Sequence, residues 1–82
     1  MNEKIKRLGL LCEELDALDE AIFDENTDEE TADVFIDKFN ANVENVSELL
    51  ESISGGQINR KTGELMARAK RGDIMRLVAR IV

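Results

Sequence analysis

The chain has 82 residues, 43% of them apolar and 35% charged, with a net charge of −7. This describes one small folded domain and excludes a disordered chain, and the negative balance opposes nonspecific attraction to nucleic acid or to anionic membrane. With one cysteine and no histidine, it has no internal disulfide and lacks the usual base for chemistry near neutral pH.

No apolar run reaches the roughly 18 residues that read as a membrane span. The basic start, Met1 to Arg7, is followed only by Leu-Gly-Leu-Leu-Cys before Glu13, which is short for a secretory leader. A cytoplasmic protein without a membrane partner is the expectation. The charge is also divided. Residues 1–52 hold 16 acids and 4 bases, whereas residues 53–82 hold 2 acids and 7 bases.

In the first segment Leu8, Leu11, Leu15, Leu18 and Ile22 recur at 3-4-3-4 spacing, which predicts helix 1 over about 2–23. Asp24-Glu25-Asn26-Thr27 interrupts the pattern. Thr27 with Glu30 reads as a capping box, in which each side chain satisfies a free backbone NH. Helix 2 is then expected over about 28–53, on a stripe of Ala32, Ile36, Phe39, Val43, Val46, Leu50 and Ile53. Phe35 and Leu49 widen that stripe toward a bundle helix. A linker this short predicts an antiparallel hairpin.

Ser54-Gly55-Gly56 is a helix stop, since glycine accepts the left-handed conformation that ends a helix. A loop over 54–60 follows. Helix 3 is expected over about 61–82, with Leu65, Met66, Ala69, Ile74, Leu77, Val78, Ile81 and Val82 as its apolar positions, and with Gly72-Asp73 as the place where it would break. The apolar end, Ile81-Val82, predicts packing to the last turn. The fold class is therefore all-α: a helical hairpin plus a third, basic C-terminal helix in one small bundle. Wide apolar stripes on a domain with so limited a core predict a homodimer whose hairpin seams pack together.

The residue chemistry narrows the function. Asp24, Asn26 and Asp28 match the first, third and fifth positions of a calcium-binding helix-loop-helix. Glu29 replaces its turn glycine, and Phe35 its bidentate glutamate, so no metal site is expected. Cys12 is the one strong nucleophile, and neighbouring Glu13 would raise a thiol pKa. The Gly55-Gly56 pair lacks the lysine of a phosphate-binding loop. Neither an enzyme nor a cofactor is expected. Arg71-Gly72-Asp73 matches an adhesion tripeptide by letters only.

The charged faces carry more information. Asp16–Glu20, Asp33–Asp37 and Glu44–Glu48 are like-charge pairs four residues apart, and each opposes helix formation by a few tenths of a kcal/mol. An aligned acidic face of this kind would steer a protein with a basic surface. In helix 3, Arg68, Arg76 and Arg80 recur at multiples of four, with Lys61 and Arg71 beside them. These are candidates for a nucleic-acid or acidic-partner surface, or for internal pairing with the acids. The leading expectation is a small non-enzymatic regulator or adaptor. The alternatives are a nucleic-acid-binding regulator and a subunit or assembly factor of a larger complex.

Overall fold

A computed structural model describes residues 2–81, and the side chains of residues 3–80. The described residues are all-helical: α1 (Asn2–Ile22), α2 (Glu29–Ile53), α3 (Arg60–Ala69) and α4 (Arg71–Ile81). None of these helices is long and apolar enough to cross a membrane.

Each boundary has a local cause. Phe23 to Asp28 connect α1 to α2. In that turn Asn26 N donates to Asp24 Oδ1 at 2.8 Å, and the Thr27 hydroxyl donates to the Ala21 carbonyl at 2.8 Å. The cap of α2 is therefore Asp28 and not Thr27: Thr31 N donates to Asp28 Oδ1 at 2.7 Å. The capping-box expectation is corrected by one residue, because Thr27 uses its hydroxyl to close α1. At the far end of α2, Gly56 N donates to the Glu51 carbonyl at 2.9 Å and Gly55 N to the Ser52 carbonyl at 3.3 Å. Gly55 stands at φ +64°, so this is the glycine-terminated stop that the sequence signals. Ser54 Oγ then accepts from Ile58 N at 2.9 Å and folds the loop inward. Asn59 caps α3 by accepting from Thr62 N at 2.8 Å.

The single helix expected over 61–82 is two helices. Lys70 leaves the helical region at φ −137°, ψ 48°, two residues before the expected break at Gly72-Asp73. Residues 68–73, Arg-Ala-Lys-Arg-Gly-Asp, hold no large apolar side chain. A straight helix would thus contain a turn with nothing to bury. The chain bends there and returns Ile74 and Val78 to the core, where they are almost fully buried. The apolar end expected to pack, Ile81 and Val82, lies outside the described side chains.

The core unites all four helices. Leu8, Cys12 and Leu15 of α1 meet Val43, Val46 and Leu50 of α2, Ala67 of α3, and Ile74 and Val78 of α4, with Ile58 from the loop. Lys4 Nζ at the start of α1 donates to Ser52 Oγ near the end of α2 at 2.6 Å. Along α3, Arg60 pairs with Glu48, Gly63 lies against Ser47, and Arg68 reaches Asn40. The progression from Glu48 to Asn40 shows that α3 retraces α2. It stops there, so α2 before Asn40 lacks a covering helix from that side.

Within one chain the expected seam of the hairpin is already covered. The hairpin seam residues Leu8, Leu15, Val43, Val46 and Leu50 are at most 1% exposed within one chain. Helices α3 and α4 already cover the seam, so it is not available to a second hairpin. Ile36, read as part of that seam, is instead 40% exposed, because it lies beyond the reach of α3.

Candidate functional site

The polar features of the surface fall into an acidic ridge on α2 and a basic corner between α3 and α4. The ridge follows from helical geometry. Glu30, Asp33, Asp37, Glu44, Glu48 and Glu51 are spaced by threes, fours and sevens, which places them on one side of a helix with 3.6 residues per turn. All six are exposed. They run for about 30 Å along the outer side of α2, opposite the core-facing Val43, Val46 and Leu50. Among the described residues only Glu48 of the six takes an ion-pair partner, Arg60.

The expected acidic set is thus divided by the fold. Asp33, Asp37, Glu44 and Glu48 share the ridge, and Glu20 is exposed on α1. Asp16 is engaged by the basic corner. Arg71 Nε donates to Asp16 Oδ1 at 2.8 Å, and Arg71 Nη2 donates to Asp19 Oδ2 at 2.9 Å. The guanidinium carbon lies 5.5 Å from the centroid of the Phe39 ring, within the range of a cation–π contact. The Arg71 side chain is 15% exposed. Burial acts to lower its pKa, but the hydrogen bonds it donates to Asp16 and Asp19, with their negative charges, outweigh this and hold the pKa above its ordinary value. Arg71 ties the start of α4 to α1 and α2, an internal role.

The arginine stripe read from a continuous helix is broken by the bend at Lys70. Arg68 turns to α2, where its Nη2 donates to Asn40 Oδ1 at 3.1 Å. Arg76 and Arg80 remain exposed on α4, and Arg76 is 3.7 Å from Asp73 one turn earlier. Together with Lys70 they rim a shallow groove between α3 and α4 that includes Met66 and Leu77. Lys61 is exposed near the start of α3. Sequence reasoning passed over Arg60, Asp19 and Lys70. The like-charge spacing that singled out Asp16 does not extend to Asp19, and Arg60 had been assigned to the loop.

Two further groups bear on chemistry. Cys12 is buried beside α4, and its thiol pKa is raised first by that burial and then by the Asp16 charge, with Arg71 opposing. This environment protects the thiol and does not activate it. Asn42 is 8% exposed, and its amide nitrogen has no hydrogen-bond partner. In the 24–28 turn, Asp24 and Asp28 spend carboxylate oxygens on backbone amides. Hydrogen bonding from Thr31 lowers the Asp28 pKa.

No protein-family model, curated protein or solved structure matches the chain.

Proposed function

We propose that this chain is a non-enzymatic interaction module whose α2 ridge recruits a protein with a basic surface. The observation that carries the reading is the alignment of six exposed carboxylates on one helix, of which a single one is neutralised by an ion pair among the described residues. Aligned like charges oppose helix formation. A binding role offers a reason for keeping them. Such a ridge raises the rate of encounter and rejects acidic competitors, while neighbouring apolar contacts set the lifetime of the complex. The α1–α2 hairpin would serve as the rigid support of the ridge, with α3 and α4 bracing it from behind.

The test is a titration against a lysine- and arginine-rich amphipathic peptide at low and at high salt. Saturable binding that weakens with salt is expected, together with its loss in the Asp33→Lys, Asp37→Lys, Glu44→Lys variant at unchanged helicity. Equal affinity of that variant for the peptide would refute the ridge as a docking surface.

The nucleic-acid alternative has a smaller base. Arg71 and Arg68 reach partners on other helices, which leaves Lys61, Arg80 and the loosely paired Arg76 from the expected set. A duplex contacted by those three would show a log affinity that falls linearly with log salt, with a slope of about −0.9 per phosphate contact. The third reading, a subunit or assembly factor of a larger complex, requires the apolar C-terminal segment, residues 77–82, to dock on a different protein.

A further inference from the structure

One end of the molecule combines a concentrated charge with uncovered apolar side chains. Residues 20–37 hold eight acids and no base. Within that stretch Phe23 is 82% exposed, Val34 50% and Ile36 40%. The cause is topological. Helix α3 retraces α2 only as far as Asn40, and α4 turns back at Lys70, so neither covers this end.

The surface beyond the Arg68–Asn40 contact has the opposite character. Residues 60–80 hold seven bases and two acids, of which Arg60, Arg68 and Arg71 are engaged by Glu48, Asn40, Asp16 and Asp19. The groove between α3 and α4 presents Met66 and Leu77 between Lys70, Arg76 and Arg80, with Asp73 as its one acid. Arg76 is 85% exposed and bound only loosely to Asp73. The acidic end and the basic groove lie on either side of the same contact. The uncovered part of α2, residues 29–39, is about 15 Å long, and the groove runs about 10 Å along α4 from Asp73 to Arg80.

We propose that two copies of the chain associate through this face. The acidic, apolar end of one copy sits on the basic α3–α4 groove of the other, twice, about a two-fold axis near the Arg68–Asn40 contact. Two patches of opposite charge on opposite sides of an axis are self-complementary, which a closed two-fold dimer requires. Asp33 and Asp37 of one copy face Arg76, Arg80 and Lys70 of its partner, while Ile36, on the same side of α2 as the two carboxylates, covers Met66 and Leu77. The molecule measures 40 × 20 × 19 Å. The proposal shares Asp33 and Asp37 with the ridge reading, but the two fail separately: peptide binding tests the ridge, and the mass of the purified chain tests the dimer.

The experiment is sedimentation equilibrium on the full chain and on two charge-reversed forms, Asp33→Lys with Asp37→Lys, and Arg76→Glu with Arg80→Glu. All four sites are exposed, and circular dichroism verifies that each form is folded. The wild type should reach twice 9.2 kDa at low salt and dissociate as salt rises. Each variant alone should dissociate about tenfold or more readily, because like charges then meet at both contacts. An equimolar mixture of the two variants should recover the dimer, since every contact again pairs opposite signs. A wild type that stays at 9.2 kDa at high concentration and low salt would overturn the proposal and leave the apolar end to a foreign partner. Variants that dimerise as well as the wild type, or a mixture without recovery, would overturn it too, the first by placing the contact elsewhere.

Discussion

Gly63 of α3 lies so close to Ser47 of α2 that a Cβ added to the glycine would stand 3.0 Å from the Ser47 Cα and 3.1 Å from its Cβ. Ser47 is fully buried and donates its hydroxyl to the Glu44 carbonyl one turn earlier at 2.7 Å. Two small residues thus allow α3 and α2 to approach at the backbone, which seats Ala67 in the core.

The Gly63→Ala exchange should destabilise the protein by about 1 kcal/mol. Overpacking costs about 1–3 kcal/mol, and the better helix propensity of alanine offsets about 1 of it. Thermal melting is the measurement, with a fall of several degrees expected for a domain of this size. Gly72→Ala is the control. Apart from its chain neighbours and its own helix backbone, no atom lies within 4 Å of its Cβ position, and the residue is exposed on α4. That exchange should raise stability by about 0.4–1 kcal/mol.

Replacing Arg71 by methionine keeps an apolar stem beside Phe39 and removes both carboxylate bonds. Hydrogen bonds to charged groups contribute about 1.5–3 kcal/mol, discounted here because Asp16 and Asp19 are 63% and 43% exposed. A loss of about 1–2 kcal/mol is expected from urea unfolding. Hydrogen exchange should accelerate more in α4 than in the centre of α2, since Arg71 fastens the start of α4.

The Asn42 amide nitrogen is buried without a partner, a condition that costs about 1–3 kcal/mol. Asn42→Leu should therefore raise the urea midpoint, by about 1 kcal/mol of stability after some repacking cost. A lower midpoint would mean that the amide makes a contact that its geometry does not reveal.

Cys12 gives a pH prediction with a definite sign. Burial raises its pKa in the folded protein, so the neutral thiol is favoured there. The corresponding stability is complete below the ordinary thiol pKa, near pH 9, and is lost as pH rises through the folded value. Cys12→Ala should flatten the alkaline arm of a stability-versus-pH curve. The intact thiol should react slowly with disulfide reagents until the chain unfolds.

Much of this was legible in the residues and some was not. The stripes containing Leu8, Leu15, Val46 and Leu50 marked the core because helical period and burial coincide on one face. Gly55-Gly56 marked the end of α2 because its stop is a local backbone device. Ile36 obeyed the same period as Val43, yet it is exposed, since its burial depended on how far α3 extends. Thr27 carried a good capping pattern and lost the role to Asp28, because its hydroxyl found the Ala21 carbonyl. Asp16 and Glu20 looked equivalent, but Arg71 selects Asp16 and reaches past Glu20 to Asp19.

What the sequence determined by itself was the helical class and the division of charge between the two ends of the chain. Helical period, caps and stops act over a few residues, and charge is a sum that folding leaves unchanged. Tertiary structure decided where α3 ends, which arginines turn inward and which apolar residues stay uncovered. Those outcomes rest on pairings such as Arg71 with Asp16, 55 residues apart, and Arg68 with Asn40, 28 apart. No local pattern encodes a partner at that distance; it is selected when four helices compete to bury one small core.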